Sequence, residues 1–557
     1  MYPAGFDRSN RQSFKGFQGM HLNARLLSVA IVAALALPAA AQAATPDTSP
    51  AARRALGLID GHAAALHRAD ADAFVVRDVI VDQDGTEHTR FDRTWRGMPV
   101  IGGDVVVHSR NGQFRGASQT LSSSARPGLR GGIGAERAIV EAGAAFGPGF
   151  DGVPTARRVV YARDMAPVLA WEVLLQGIRA DQTPTEMHYF VDAHSGRILD
   201  RYDGVKTGNG HGKPGGGSGA TCSTAASGTG QSLFSGDVAI NTALCSDGTF
   251  QMTDTTRGGG YTTDLSNRTN GEGTTFADAD NNWGDNTTGD RATVAADAHY
   301  GVAETWDYFK NVHGRDGIAD DGQGALSRVH YGRKYSNAFW SDSCFCMTFG
   351  DGDGRSIHPL VNIDVAGHEM THGITSRSAD LVYSGESGGL NESTSDLFGT
   401  MVEYYSNNSN DTPDYMIGEE LYVNNPSGTN ALRYMFKPSL DGASPDCYSS
   451  NIGNLDVHYS SGVSNHAFYV MAEGAAVPAG FGLSAGDMVC NGNTSAGGIG
   501  RDAASKVWYR ALTVYMTSST NYAGARAATL QAAADLYGSG SSQYNGVASA
   551  WSAVGVN

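Results

Sequence analysis

Charged side chains are scarce in this 557-residue chain, 17% of it, and cations are the scarcer kind: 40 Lys and Arg against 57 Asp and Glu leave a formal net charge of -17. That deficit argues against binding a nucleic-acid backbone and suits a protein that holds cations such as calcium. Long apolar runs are missing beyond the first 43 residues, so nothing there can span a bilayer as a helix. Internal repeats are missing too. Cysteine is limited to six residues, none at the spacing of a zinc ribbon or knuckle. With 73 glycines beside so little charge, the composition indicates a loop-rich, well-solvated protein and not a helical bundle or coiled coil. The length exceeds one ordinary core and predicts two or three domains.

What is present begins with an export signal. The stretch MHLNARLLSVAIVAALALPAAAQAATP carries basic Arg25, an apolar run from Leu26 to Leu37 and the small-residue pattern Ala41-Gln42-Ala43. Residues 1–43 therefore read as a signal peptide, with Met20 as the alternative start. A membrane anchor is the competing reading, but the run is shorter than the ~20 residues a spanning helix needs. In an exported chain the even cysteine count favours disulfides, and neighbours along the chain suggest Cys222 with Cys245 and Cys447 with Cys490. Cys344 and Cys346 stay open between bridging each other, remaining free and rearranging the other pairs. Residues two apart on a strand sit near or beyond the usual Cα limit for a bridge.

Along the chain, residues 44–205 are mostly strand-like, as in FVVRDVIVDQDG and VLAWEVLLQG, with one helical stretch, AERAIVEAGAAFG. The apolar-poor KTGNGHGKPGGGSGA lies in a linker spanning 206–221. Residues 222–375 begin as short strands and turns, pass through a helical pattern at ATVAADAHYGVAETWDYFKNVHG and end on a further helix. Residues 376–557 are mainly helical. The predicted class is α+β, with a β-rich lobe, a central helix and an α-rich lobe.

The chemistry concentrates in VNIDVAGHEMTHGITS, residues 361–376. Helical residues four apart share a face, so His368 and His372 can aim their imidazoles at one point, with Glu369 beside it as a general base. A catalytic zinc needs a third protein ligand. GGLNESTSDLFG offers Glu392 at the start of another helix, and Asp396 one turn on can orient His368. Thr375 and Ser378 stand where a metzincin needs Gly and His, which excludes that class. His299, His313, His330 and His466 read as structural, and GDGDG at 350–354, which lacks the later glutamate of a calcium loop, reads as a tight turn.

HExxH followed by NExxSD, with nineteen residues between His372 and Glu392, resembles the thermolysin family of secreted metalloendopeptidases, close to its bacterial elastase-type and vibriolysin-type members. Zinc aminopeptidases have one residue fewer in that gap and a GAMEN-type segment absent here. The resemblance implies a two-lobe catalytic domain preceded by a two-part α+β propeptide, residues 44–205, that assists folding and inhibits until it is cut away. It implies that YSNAFW supplies the edge strand for substrate, with Asn337 and Ala338 in contact. Tyr383 and His458 become donors to the oxyanion, with Asp456 holding His458, and Arg433 contacts substrate carbonyl and supports the pocket. Val365 and Leu432 wall an apolar pocket, hence cleavage before bulky hydrophobic residues. Asp364, Glu403 and Asp414 match acidic calcium positions. Thr400 stands where the family commonly has a further glutamate, and the loop SNNSNDTPD is longer. The ending YNGVASAWSAVGVN resembles the terminus of the catalytic unit, so no appended module is expected.

The expected cofactors are one catalytic Zn2+, held by His368, His372 and Glu392, and at least one structural Ca2+. The expected partners are protein and peptide substrates and the chain's own propeptide, with no nucleic acid, no membrane in the mature form, and a monomeric state. In the implied reaction Glu369 takes the proton of a water that attacks a peptide carbonyl and passes it to the leaving nitrogen. Two other readings compete. A zinc exopeptidase would not cut end-blocked peptides internally, and a calcium-stabilised extracellular binding protein would show no chelator-sensitive hydrolysis.

Overall fold

The computed structural model describes residues 49–130, 132–206 and 221–557; the expected signal peptide and all but the ends of the Gly-rich linker lie outside the described residues. Helix α1 (Pro50–Ile59) opens them, an element not expected from the sequence. Ser49 caps it by accepting from the Ala52 N–H at 3.1 Å, Pro50 takes the first turn, and Ala52, Ala55 and Ile59 bury one face. That face packs on Val76, Phe91, Val105 and Val107.

The strands of this part are β1 (Asp72–Val81), β2 (Thr86–Trp95), β3 (Met98–Ile101), β4 (Val105–Arg110), β5 (Gln113–Gln119), β6 (Phe150–Tyr161), β7 (Val168–Ile178), β8 (Pro184–Asp192) and β9 (Ile198–Asp203). They join in the order β5-β4-β2-β3-β6-β7-β8-β9, with β1 beside β2. The parallel pairing Val100↔Val160 and Ile101↔Tyr161 links two antiparallel halves. The first half packs on α1. The second packs on α2 (Ala135–Phe146), which buries Ala138 and Ala142 against Val173, Leu175 and Tyr189.

Beyond residue 221, a five-stranded sheet precedes α3 (Arg291–His313), and a six-stranded sheet takes strands from both sides of that helix; Asp290 caps α3, and Gly314 ends it in the left-handed region at φ 74°. The six-stranded sheet ends in an edge strand, Ala338–Ser341. Helices α4 (Ile363–Ser376) and α5 (Gly385–Ser406) follow, and α4 is buried along its whole length. Missing side chains let the three helices approach: a Cβ at Gly301 of α3 would strike Ala366, and one at Gly399 of α5 would strike the Asp364 carbonyl. The remaining chain is mainly helical, and one core runs through both lobes, including Trp340, Ile374, Phe398, Trp508 and Trp551.

All six cysteines are bridged. Cys222–Cys245 and Cys447–Cys490 pair as neighbours, and Cys344 closes on Cys346 with Cα atoms 5.2 Å apart. The concern about a shared strand does not apply, because Phe345 turns the chain at φ 51° and the strand starts only at Cys346. No helix among the described residues is long and apolar enough to cross a membrane.

The sheet of β1–β9 docks on the rest of the chain through polar contacts. Buried Arg90 donates to the Met516 and Thr513 carbonyls at 2.8 and 3.0 Å. Asp82 pairs with Arg510 at 2.7 Å, Asp104 accepts from Ser518 at 2.6 Å, and Arg77 donates to the Ser376 carbonyl at 2.7 Å.

Candidate active site

Helix α4 sets His368 and His372 one turn apart with their Nε2 atoms 3.0 Å from each other. The close approach of α5 adds the buried Glu392 carboxylate, 3.5 Å from His368 Nε2 and 3.4 Å from His372 Nε2. The outer nitrogens are already engaged. His368 Nδ1 faces Asp396 at 2.8 Å, and His372 Nδ1 faces the Asn391 side-chain oxygen at 2.7 Å. Acceptors on both Nδ1 atoms fix the rings with Nε2 lone pairs facing inward. Burial pulls the His372 imidazole down to about 3, so that ring is neutral. Glu392 is held at about 2: burial raises it, and the positive charges of His458 and Arg433 work against that. One Glu392 oxygen, Oε2, is buried without a hydrogen-bond partner. Two lone pairs and a carboxylate crowding one buried point is repulsive by itself and fits a divalent cation with nitrogen and oxygen ligands, zinc above all.

Glu369 is buried beside His368, its Oε2 also without a partner. Burial and the nearby Glu392 charge push its carboxyl well above the usual range, against the Arg433 cation and the Trp340 backbone N–H. Opposite it, the Tyr383 hydroxyl lies on Glu392 and 3.1 Å from His458 Nε2, while His458 Nδ1 meets Asp456 at 2.7 Å. Partial burial lowers the His458 imidazole, but the Glu392 and Asp456 carboxylates outweigh it and hold it above its ordinary value.

Arg433 donates from Nε and Nη2 to Asp396, at 2.8 and 2.6 Å, and its Nη1 takes no part in that pair. It braces the carboxylate that orients His368. Asn337 is half-buried and Ala338 opens the edge strand. Val365 is buried on α4, and Leu432 packs against the same core.

Among the expected calcium ligands, Glu403 converges with Asp411 and Glu419, two residues not foreseen. Both Glu403 oxygens, both Asp411 oxygens and Glu419 Oε2 are buried without partners. Burial first, then the charges of Glu419 and Asp411 on Glu403 and those of Glu420 and Asp364 on the other two, raise Glu403 and Glu419 well above the usual range and push Asp411 up to about 9. An orphaned cluster of hard oxygens fits calcium. Asp364 and Asp414 are close enough for their charges to raise Glu403, but Asp364 Oδ2 accepts from the Gly418 N–H and Asp414 from the Met416 N–H, each at 2.6 Å. Asn391 and Asn465, which donates to Asp396 at 2.8 Å, were also missed. Asn391 adjoins Glu392 in the motif itself, whereas Asn465 carries no sequence signal.

Paired helices carrying an HExxH and a downstream glutamate, with a buried base and two facing donors, define a metallopeptidase site. The chain belongs to the thermolysin family: the thermolysin metallopeptidase catalytic domain matches residues 227–376, its alpha-helical domain 379–556, and the fungalysin/thermolysin propeptide motif 72–121. Among its relatives, a transglutaminase-activating metalloprotease of Streptomyces mobaraensis is 48% identical over 492 residues, 87% of this chain and 61% of that protein. The present chain thus spans less than two thirds of that relative. Thermolysin of Alicyclobacillus acidocaldarius subsp. acidocaldarius is 37% identical over 494 residues, covering 85% of this chain and 84% of that one. Bacillolysin of Bacillus caldolyticus is 40% identical over 415 residues, 73% and 70% of the two chains.

Proposed function

We propose that this chain is the precursor of a secreted, monomeric zinc endopeptidase that cuts internal peptide bonds before bulky hydrophobic residues, with residues 44–205 as its propeptide and residues 206–221 as the stretch in which it processes itself. The observation that carries the reading is the convergence of His368, His372 and Glu392 on one buried point beside the Glu369 carboxyl, whose Oε2 is without a partner. Zinc, when bound by those three residues, supplies Lewis-acid polarisation of a carbonyl and acidification of a water. Glu369 takes the proton of the attacking water and delivers it to the leaving nitrogen. Tyr383 and protonated His458 donate to the oxygen on which charge develops, and Asp456 keeps His458 protonated and aimed. Asn337 and Ala338 receive the substrate backbone along the edge strand. Val365 and Leu432 shape the apolar pocket, with Arg433 bracing the site through Asp396 and contacting a substrate carbonyl. Calcium at Glu403, Asp411 and Glu419, with Asp364 and Asp414 alongside, stabilises the helical lobe. The substrates are proteins and peptides, with no nucleic-acid partner.

The test compares wild-type precursor with Glu369→Ala, following chain mass and cleavage of an internally quenched, end-blocked peptide with and without a zinc chelator. The expected result is that the wild type alone shortens and cuts, and that the chelator stops it. Equal activity in Glu369→Ala overturns the scheme. Wild type that binds zinc but leaves every peptide intact returns the binding-protein reading.

A further inference from the structure

The edge strand Ala338–Ser341 already holds a partner: Lys206 pairs with Trp340 in antiparallel fashion. An extended peptide added to a sheet edge is the general way a cleft reads a substrate backbone, and alternate side chains then fall into pockets. The Lys206 side chain is 8% exposed, and its ammonium donates to Asp342 Oδ2 at 2.9 Å and to the Ser376 hydroxyl. Those partners are built independently of Lys206. Asp342 Oδ1 accepts from the Trp340 indole at 3.0 Å and from Arg377 Nη1 at 2.7 Å, and the Ser376 hydroxyl lies 3.0 Å from the His372 carbonyl, one turn from a metal ligand.

We infer that Asp342, with Ser376, forms a subsite selecting a lysine side chain in the substrate, at the position paired with Trp340 and on the N-terminal side of the bond cut. The inference rests on the endopeptidase reading above and names part of its substrate class. A cut anywhere after Lys206 releases a chain whose lysine occupies that place, so the precursor displays the occupant the subsite accepts. Arg377 already neutralises Asp342 in part, so an uncharged residue is tolerated and lysine is preferred, not required. The gain is that of one partly screened, charge-assisted contact, about tenfold.

The enzyme matured from the full precursor is given end-blocked, internally quenched peptides with a single cleavable bond. Lysine is walked through the three positions before that bond, against norleucine, alanine and glutamate at each. At one position lysine should raise kcat/KM about tenfold over norleucine, mainly through KM, and glutamate should fall below alanine. In Asp342→Asn the lysine-to-norleucine ratio should approach one. A flat wild-type panel overturns the subsite and leaves the endopeptidase reading standing, a decision that needs no variant to fold. A lysine preference that survives in Asp342→Asn overturns the assignment to Asp342. Wild type that cuts none of the peptides removes both readings.

Discussion

Asp396 is where removing one carboxylate should have two separable consequences. The side chain is fully buried and accepts from His368 Nδ1 at 2.8 Å, Arg433 Nε and Nη2 at 2.8 and 2.6 Å, and Asn465 Nδ2 at 2.8 Å. Asp396→Ala leaves Arg433, itself 18% exposed at the side chain, without the carboxylate it is hydrogen-bonded to. Breaking such a pair costs about 3–5 kcal/mol of folding stability. The same change frees the His368 ring, and loss of an orienting acceptor weakens metal binding roughly 10- to 100-fold, or about 1.4–2.7 kcal/mol. The first cost is read as a lower melting temperature of the metal-free protein, the second by competing zinc off with a chromophoric chelator. Asp396→Asn separates them further. It keeps one oxygen for His368 but turns an amide towards donors, so stability should fall while most of the zinc affinity remains. If Asp396→Ala binds zinc like the wild type and melts at the same temperature, the account of His368 as a ring fixed by Asp396 is wrong.

The acidic cluster gives a pH dependence of unusual sign. Because Asp364, Asp411 and Asp414 are raised to about 7, 9 and 6, these carboxyls bind more protons in the folded cation-free chain than in the unfolded one between about pH 4 and 9, so their contribution to stability falls as pH rises through that window. Melting temperatures in a calcium chelator should drop from pH 5 to 9 and calcium should flatten the slope; a flat slope in chelator refutes the cluster's role. In the docked sheet, Arg90→Met removes two charge-assisted bonds to buried carbonyls, together about 3 kcal/mol. After processing, the urea needed to unmask peptidase activity should fall, and an unchanged midpoint would place the docking energy elsewhere.

The zinc residues were legible because two local rules place them: four-residue spacing fixes a face of α4, and glycines that could be seen, if not interpreted, let α5 lie against it. Asn391 hid in plain view beside Glu392, since an amide carries no ligand signal of its own. Asp411 and Glu419 were not legible as a pair with Glu403. They sit on the chain after α5, and only its return over that helix brings the oxygens together. Arg433 could be singled out from the sequence, but its partner Asp396 could not, because tertiary packing sets that pair. Helix α1 escaped because ten residues with mostly alanine on the buried face give little periodic contrast. The Cys344–Cys346 bridge depended on one backbone angle at Phe345, which side-chain pattern does not encode.

The arrangement of the docked sheet also bears on what a cut in the chain accomplishes. The bonds from Arg77, Arg90, Asp82 and Asp104 all lie on β1–β4 or the turns between them, far from residues 207–221 in sequence, and a cut in that stretch breaks none of them. The Lys206 contact with Asp342 survives as well, because Lys206 stays with the sheet. Severing the covalent link therefore changes the connection from intramolecular to bimolecular without removing the occupant of the edge strand. The cost of rebinding then depends on concentration, whereas the contacts themselves do not. Latency after processing becomes a matter of dissociation rate, set by buried polar bonds that cannot be traded for water until the sheet moves as a unit. Activation should lag behind cleavage, and dilution should shorten the lag only by preventing rebinding, not by accelerating release.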